Sequence, residues 1–328
     1  MKIVRFHEEG GPEVLKLEDD PIPEPGEGQA LLRVDVTGVG YAEVLQRGGK
    51  YRERMPLPYV LGQRMVGTVE KVGAGVDASM VGKQYMGMVL TGTNAQYTLA
   101  KASALYSLPE GVDPIAAYSI LSEADVAALA LKVAGRLQPG ESVFVPAATG
   151  GVGYLALQLA QLYGAGKVYG GASSEKKRAI VAELGATPID YTAENWPQLV
   201  IDANGGNGVD LSLEVNGGQY VYDTLAATRH GGRMVNFGNI TDTNAPVNPR
   251  QLLRANQALI GFSRGSSIRD NLFMEEKKVV AKEINDFIVS GKLKPLIAGT
   301  FTLENIAEAH NLLENRESAG KVIVLPNG

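Results

Sequence analysis

Ser142-Val-Phe-Val-Pro-Ala-Ala-Thr-Gly-Gly-Val-Gly153 runs directly into Tyr154-Leu-Ala-Leu-Gln-Leu-Ala160. The segment starts with an apolar strand, and Val152, Leu155, Leu159 and Leu162 then recur at helical spacing. Between strand and helix lies a turn holding Gly150, Gly151 and Gly153. That order suits a dinucleotide pyrophosphate. Its charge rests on free backbone N–H groups at a helix N-terminus, and glycines let the main chain come close. Ala148 stands where the first glycine of the fingerprint is usual, so only the later part of the motif is present. A glycine turn by itself also fits an ordinary strand-to-helix connection. The flanking sequence separates the two readings.

On the C-terminal side, strands and helices alternate. Strand Lys167–Ala172, helix Glu175–Leu184, strand Pro188–Asp190 and strand Val209–Val215 come first. Helix Gln219–His230, strand Gly232–Phe237 and strand Ala258–Phe262 follow. Such alternation specifies an α/β fold with a doubly wound parallel sheet. On the N-terminal side, Ile115 to Val133 is rich in Ala and Leu and reads as one helix. Further out, Leu32, Val34 and Val36 alternate with Arg33, Asp35 and Thr37, the period of a half-buried strand. Gly67–Val72 and Ala95–Ala100 read as further short strands, so the first third is β-rich. The tail is mixed: helix Lys277–Ser290, helix Leu303–Asn315 with Thr302 as its N-cap, and strand Lys321–Leu325.

The end of the second strand selects the cofactor. An NAD site usually carries an acid about 20 residues beyond the glycines, for the ribose 2′-OH. Here that place reads Gly170-Gly-Ala-Ser-Ser174, with Lys176, Lys177 and Arg178 following Glu175. Hydroxyls beside cations suit a 2′-phosphate, so the sequence predicts NADPH. Ser173 or Ser174 equally suits a helix cap, and the two roles are compatible.

Composition bounds the rest. The chain has 328 residues, 31 Lys+Arg and 36 Asp+Glu, for a net charge of -5. That length suits two domains. The acidic excess argues against nucleic acid, no apolar run approaches the ~20 residues of a membrane span, and Met1–Phe6 reads as a strand rather than an export signal. A cytoplasmic enzyme with a small-molecule substrate is expected. Cysteine is absent, and His7, His230 and His310 are far apart, so no metal site is expected.

Motifs now accumulate in order along the chain: Arg5-Phe-His-Glu-Glu-Gly-Gly-Pro-Glu-Val-Leu15, Arg47-Gly-Gly-Lys-Tyr51, Val60-Leu-Gly62 with Gly67, Gly73-Ala-Gly-Val76 and Ala147–Gly153. Leu184-Gly-Ala186, Gly231-Gly-Arg233, Phe237-Gly238, Ser290-Gly-Lys292, Ala309-His310 and Gly320-Lys321 complete the series. Together they resemble the zinc-free quinone oxidoreductase branch of the medium-chain dehydrogenase/reductase superfamily. The resemblance implies a GroES-like catalytic domain from residues 1–122 and 266–328, and a Rossmann NADPH-binding domain from 123–265. It implies hydride transfer from NADPH to a quinone or an activated C=C bond, and a homodimer through the edge strand Ala258–Phe262. The cofactor residues it implies are Thr149, Gly150, Gly151 and Val152 in the turn, then Ser173 and Lys177, then Tyr191 and Asn216. Phe237, Gly238, Phe262 and Ser263 complete them.

The departures fall on the substrate side. Zinc relatives place a Cys and a His-Glu pair where this chain has Gly40 and Gln63-Arg64. Quinone reductases of the branch usually have Asn at Gly40, Tyr at Leu45, Thr at Val126 and an acid at Arg64. A rebuilt pocket points to a specialised substrate, with a tailoring enoyl reductase or cyclase-like enzyme, or a weakly active NADPH-binding protein, as alternatives. Arg64 could meet a developing enolate or a substrate carboxylate, or form an ion pair between domains. Tyr51 could donate a proton, and Tyr41 could do so or line the wall.

Overall fold

The computed structural model describes residues 1–51, 54–89, 92–108, 110–241, 243–244, 246–265 and 271–328. The chain divides into two compact units, Met1–Ser122 with Lys294–Gly328, and Glu123–Leu293.

In the first unit the organising element is the strand Gln29–Val39. It pairs antiparallel with Arg64–Val72, Tyr97–Lys101 and Lys321–Val324, inside a seven-stranded sheet. The tail thus returns to the N-terminal unit because its last strand is a direct neighbour of Gln29–Val39. The expected alternation holds for Leu32, Val34 and Val36, which are buried, but Thr37 is buried as well. A register shift between Val34 and Val36 breaks the period of two. The Thr37 hydroxyl is satisfied inside, donating to the Arg64 carbonyl at 2.9 Å and meeting the Thr93 hydroxyl at 2.8 Å. Gly38 has no room for a side chain, since a Cβ there would lie 2.4 Å from the Val322 carbonyl oxygen.

A smaller sheet orders Lys16–Asp19, Lys2–Phe6 and Tyr59–Val60. The helix near the C-terminus spans Ile306–Glu314, with Asn305 at its cap position. Thr302 is therefore not the N-cap. Its N–H and hydroxyl instead donate to Asn305 Oδ1, at 2.7 and 3.4 Å. His310 on this helix is fully buried and neither ring nitrogen has a partner among the described residues. Burial, with the Arg47 charge adding, depresses its pKa to about 3, so it is a neutral packing residue.

In the second unit six strands form one parallel sheet in the order Thr187–Asp190, Lys167–Ala172, Ser142–Val145, Val209–Glu214, Thr228–Asn236 and Ala258–Gly261. Numbered by sequence this is 3-2-1-4-5-6, the doubly wound dinucleotide-binding order. The central strands read as apolar runs because helices cover both faces. Two elements differ from expectation. Helix Trp196–Ala203, unread in the sequence, docks by stacking Trp196 on Phe144 at 5.2 Å. Helix Gln219–Ala227 stops early, and Thr228–His230 join the next strand.

The expected single helix Ile115–Val133 is observed as Pro114–Leu121, Ala124–Leu129 and a π-helical turn at Ala130–Ala134. Contrary to the expectation that no stretch approaches a membrane span, Pro114–Ala134 is long and apolar enough to qualify. It is mostly buried inside the protein, as Ala124, Ala127, Ala128 and Leu129 show.

The second domain boundary also moves, from 265/266 to 293/294. Helix Met274–Val289 buries Val280, Ile284 and Ile288, and Glu283 pairs with Lys132 at 2.7 Å. Phe287 packs against the Tyr163 ring at 6.2 Å. These contacts keep the helix with the parallel sheet.

Candidate functional site

In a doubly wound sheet, ligands bind beyond the carboxyl ends of the strands. In the second unit, the chain leaves Ser142–Val145 through Ala147, which adopts a left-handed φ of 49° although it is not glycine. Gly150 N–H donates back to the Ala147 carbonyl at 2.9 Å, closing the turn. Gly153 then starts helix Gly153–Leu162, whose N-cap, Val152, offers no side-chain hydrogen bond. Among the described residues, the N–H groups of Gly151, Val152 and Gly153 reach no acceptor. A helix N-terminus with uncapped donors attracts an anion. Gly153 is obligatory: a Cβ would sit 2.3 Å from the Ala147 carbonyl oxygen and 2.9 Å from Ala148 Cα, both main chain.

The neighbouring strand ends supply the other residues nominated from sequence. After Lys167–Ala172, Ser174 is the N-cap of helix Glu175–Glu183 and accepts from Lys177 N–H at 3.3 Å. The capping role thus belongs to Ser174, while Ser173 is exposed and Lys177 half-buried. Arg178 pairs with Asp190 at 2.9 Å. Hydrogen bonds from Thr192, with Arg178 adding, hold the Asp190 carboxyl below its usual range. That acid is committed. Tyr191 packs over Gly171, where a Cβ would meet its ring at 2.9 Å.

Val209–Glu214 leads into Asn216, a 9% exposed residue whose side-chain Nδ2 is buried and has no partner among the described residues. Phe237 N–H donates to the Glu214 carbonyl and Phe262 N–H to the Asn236 carbonyl, each at 2.9 Å. Gly238 lies against Val215, with 2.6 Å available for a Cβ. Ser263 follows Phe262 and is exposed. The structure therefore gathers the nominated cofactor residues along one edge of one sheet. Uncapped N–H groups, an unmet amide donor and a half-buried lysine form a donor set that fits a phosphate-bearing nucleotide. Glu214, which sequence reasoning missed, sits among them with its carboxylate already occupied.

At the opposite, amino ends of the strands lies a polar depression of about 410 Å³ lined by Ser142, Lys167, Asn204, Asp210 and Arg229. Two of its charges satisfy each other: Asp210 accepts from the Ser142 hydroxyl at 2.6 Å and pairs with Arg229 at 2.5 Å.

The nominated catalytic residues lie in the first unit. Tyr41 starts helix Tyr41–Arg47, and the Gly40 N–H before it donates to Glu43 at 3.0 Å. The chain then turns through Gly49, in a left-handed conformation (φ 67°), to Tyr51. Arg47 anchors this turn. Its Nε donates to the Gly10 carbonyl at 3.0 Å and its Nη2 pairs with Glu314 at 2.5 Å. Arg64 opens the strand Arg64–Val72 opposite Met88 and is half-buried. Tyr59, not nominated from sequence, has a phenol pKa raised by burial and then by Glu43.

Comparison with known proteins agrees with this division. Residues 26–110 match the alcohol dehydrogenase GroES-like domain, and residues 151–282 match the zinc-binding dehydrogenase family. The chain is 33% identical to quinone oxidoreductase of Pongo abelii over 329 residues, covering 99% of this chain and 98% of that protein. It is 28% identical to acryloyl-coenzyme A reductase of Sulfurisphaera tokodaii, covering 95% and 96%. The Escherichia coli quinone oxidoreductase structure, complexed with NADPH, superimposes with a TM-score of 0.90 at 26% identity, covering 99% and 100%. With the glycine turn, the 3-2-1-4-5-6 sheet and the GroES-like unit in place, the chain belongs to the quinone oxidoreductase branch of the medium-chain dehydrogenase/reductase superfamily and is an oxidoreductase.

Proposed function

We propose that this protein uses NADPH to reduce a quinone or an α,β-unsaturated carbonyl compound, without a metal ion. The observation that carries the proposal is the uncapped N-terminus of helix Gly153–Leu162, with three unmet backbone donors at the carboxyl edge of the sheet. NADPH, when bound, supplies the hydride. The protein supplies the rest. The N–H groups of Gly151, Val152 and Gly153 would hold the pyrophosphate, and Ser173 with Lys177 the 2′-phosphate. In the other unit, Arg64 would face the substrate oxygen where negative charge grows and Tyr51 would donate the proton, with Tyr41 lining the wall. An activated alkene is the acceptor we favour. Gly40, Leu45 and Val126 replace the residues usual in quinone reductases, and an acryloyl-coenzyme A reductase is among the relatives.

Cofactor choice gives the first test. With Asp190 committed to Arg178 and no acid within Gly170–Ser174, NADPH should bind at least tenfold tighter than NADH, about 1.4 kcal/mol. Lys177→Ala should erode that preference while leaving NADH affinity unchanged. Equal affinity of the unaltered protein for both nucleotides would sink the assignment.

The metal-free part follows from the donors available. Gly40, Gln63 and Arg64 stand where zinc relatives bind the metal, and the sequence has no cysteine. Exhaustive chelation should leave turnover and melting temperature unchanged. Activity lost on chelation and restored by zinc would contradict it.

A further inference from the structure

We propose that Glu214 is a positioning residue for the cofactor: its buried carboxylate locks the turn Val215–Gly218 so that the Asn216 side-chain amide is held ready for the nucleotide. The inference rests on the NADPH reading above and extends it to a residue that does not itself touch the ligand.

Glu214 ends the strand Val209–Glu214, between Ser142–Val145 and Thr228–Asn236, and is fully buried. A carboxylate in such a place persists only where donors meet it. Oε1 accepts from Asn216 N–H at 2.5 Å and Gly217 N–H at 2.9 Å, and Oε2 accepts from the Thr224 hydroxyl at 2.9 Å. Two of these three donors are main-chain groups of the turn itself. Thr224 is backed in turn: its carbonyl accepts from the Thr228 hydroxyl, which meets Ser212, each at 2.7 Å. The side chain therefore shapes the turn rather than the strand.

The far side of the turn is equally fixed. Ile240 N–H donates to the Val215 carbonyl at 3.0 Å, and Thr241 N–H to the Asn216 carbonyl at 2.8 Å. Gly217 and Gly218 both have positive φ, and Cβ atoms there would lie 1.8 Å from Asn239 Oδ1 and 2.2 Å from Thr243 Oγ1. The N–H and carbonyl of Asn216 are both committed, yet its buried Nδ2 has no partner among the described residues. A buried donor left unmet in so ordered a turn is explained by an acceptor that arrives with the ligand. The Glu214 carbonyl also accepts from Phe237 N–H, so one residue ties together two of the strand ends assigned to the cofactor.

The test is a double-mutant cycle on NADPH affinity with Glu214→Ala, Asn216→Ala and both together, alongside amide hydrogen exchange in the nucleotide-free protein. If Glu214 acts through Asn216, each single variant should bind NADPH about tenfold more weakly. The double variant should then be no worse than Glu214→Ala within about twofold, because coupled sites are not additive. Glu214→Gln keeps an acceptor for the two turn N–H groups and should recover most of the affinity. Without nucleotide, the Asn216 and Gly217 amides should exchange faster in Glu214→Ala and return toward the unaltered rate in Glu214→Gln. Should Glu214→Ala not fold, Thr224→Val removes the donor to Oε2 alone. Its loss, about threefold, should vanish in the Asn216→Ala background. Additive losses, or unchanged exchange at these two amides, overturn the proposal. If the unaltered protein binds no NADPH, the cofactor reading falls and the Asn216 role with it. Binding by the unaltered protein with additive losses overturns only the role given to Glu214.

Discussion

Gly153→Ala should weaken NADPH binding by about a hundredfold or more, about 2.8 kcal/mol. The added methyl would lie 2.3 Å from the Ala147 carbonyl oxygen and 2.9 Å from Ala148 Cα. Neither is the free end of a side chain, so the turn itself must open. Its donors are useful only in register, since Gly151, Val152 and Gly153 present successive N–H groups at one helix end. Overpacking of this kind also costs about 1–3 kcal/mol of stability. The melting temperature should therefore fall as well, and affinity must be measured on the folded fraction. Fluorescence titration with NADPH alongside a thermal melt separates the two effects. A folded variant with unaltered affinity would remove the glycine turn from the cofactor site.

Arg64→Met should lower turnover by about a hundredfold, about 2.7 kcal/mol, the scale of a lost oxyanion donor. Hydride addition to an enone or quinone leaves negative charge on the carbonyl oxygen, and only groups placed where that charge grows lower the barrier. The guanidinium is always protonated and its fork suits an oxyanion. NADPH affinity should stay unchanged, because nucleotide binding is assigned to the other unit. If Arg64 instead serves to hold the structure, the variant should melt at lower temperature while single-turnover rates in the folded fraction stay near those of the unaltered protein. A stable, fully active variant would exclude both roles.

The parallel sheet was legible because its central strands are buried on both faces and so read as short apolar runs. Ser142–Val145 and Leu211–Leu213 are buried throughout. The glycine turn was legible for a related reason: where the helix starts against the incoming main chain, as at Gly153, there is no room for a side chain. Glu214 was not legible. An acid closing a strand ordinarily reads as its solvent end, and only the fold reveals that its donors are the next turn. The second domain boundary was missed because the apolar face of Met274–Val289 announces burial without saying which sheet it covers. The Thr302 cap failed because Asn305, three residues on, takes the local hydrogen bonds first. Tyr41, Tyr51 and Arg64 carried no local signal of their own, and their roles came only with the family resemblance.

Following the label from NADPH deuterated at both hydride positions, over a panel of α,β-unsaturated carbonyl compounds with quinones alongside, tests the central claim most directly. NADPH should be consumed saturably with at least one acceptor, and deuterium should appear on the β-carbon of the reduced enone. The rate should be unaffected by chelator and much lower with NADH at the same concentration. NADPH that binds tightly but is consumed with no member of the panel, or a reduced enone without the label, would contradict the claim.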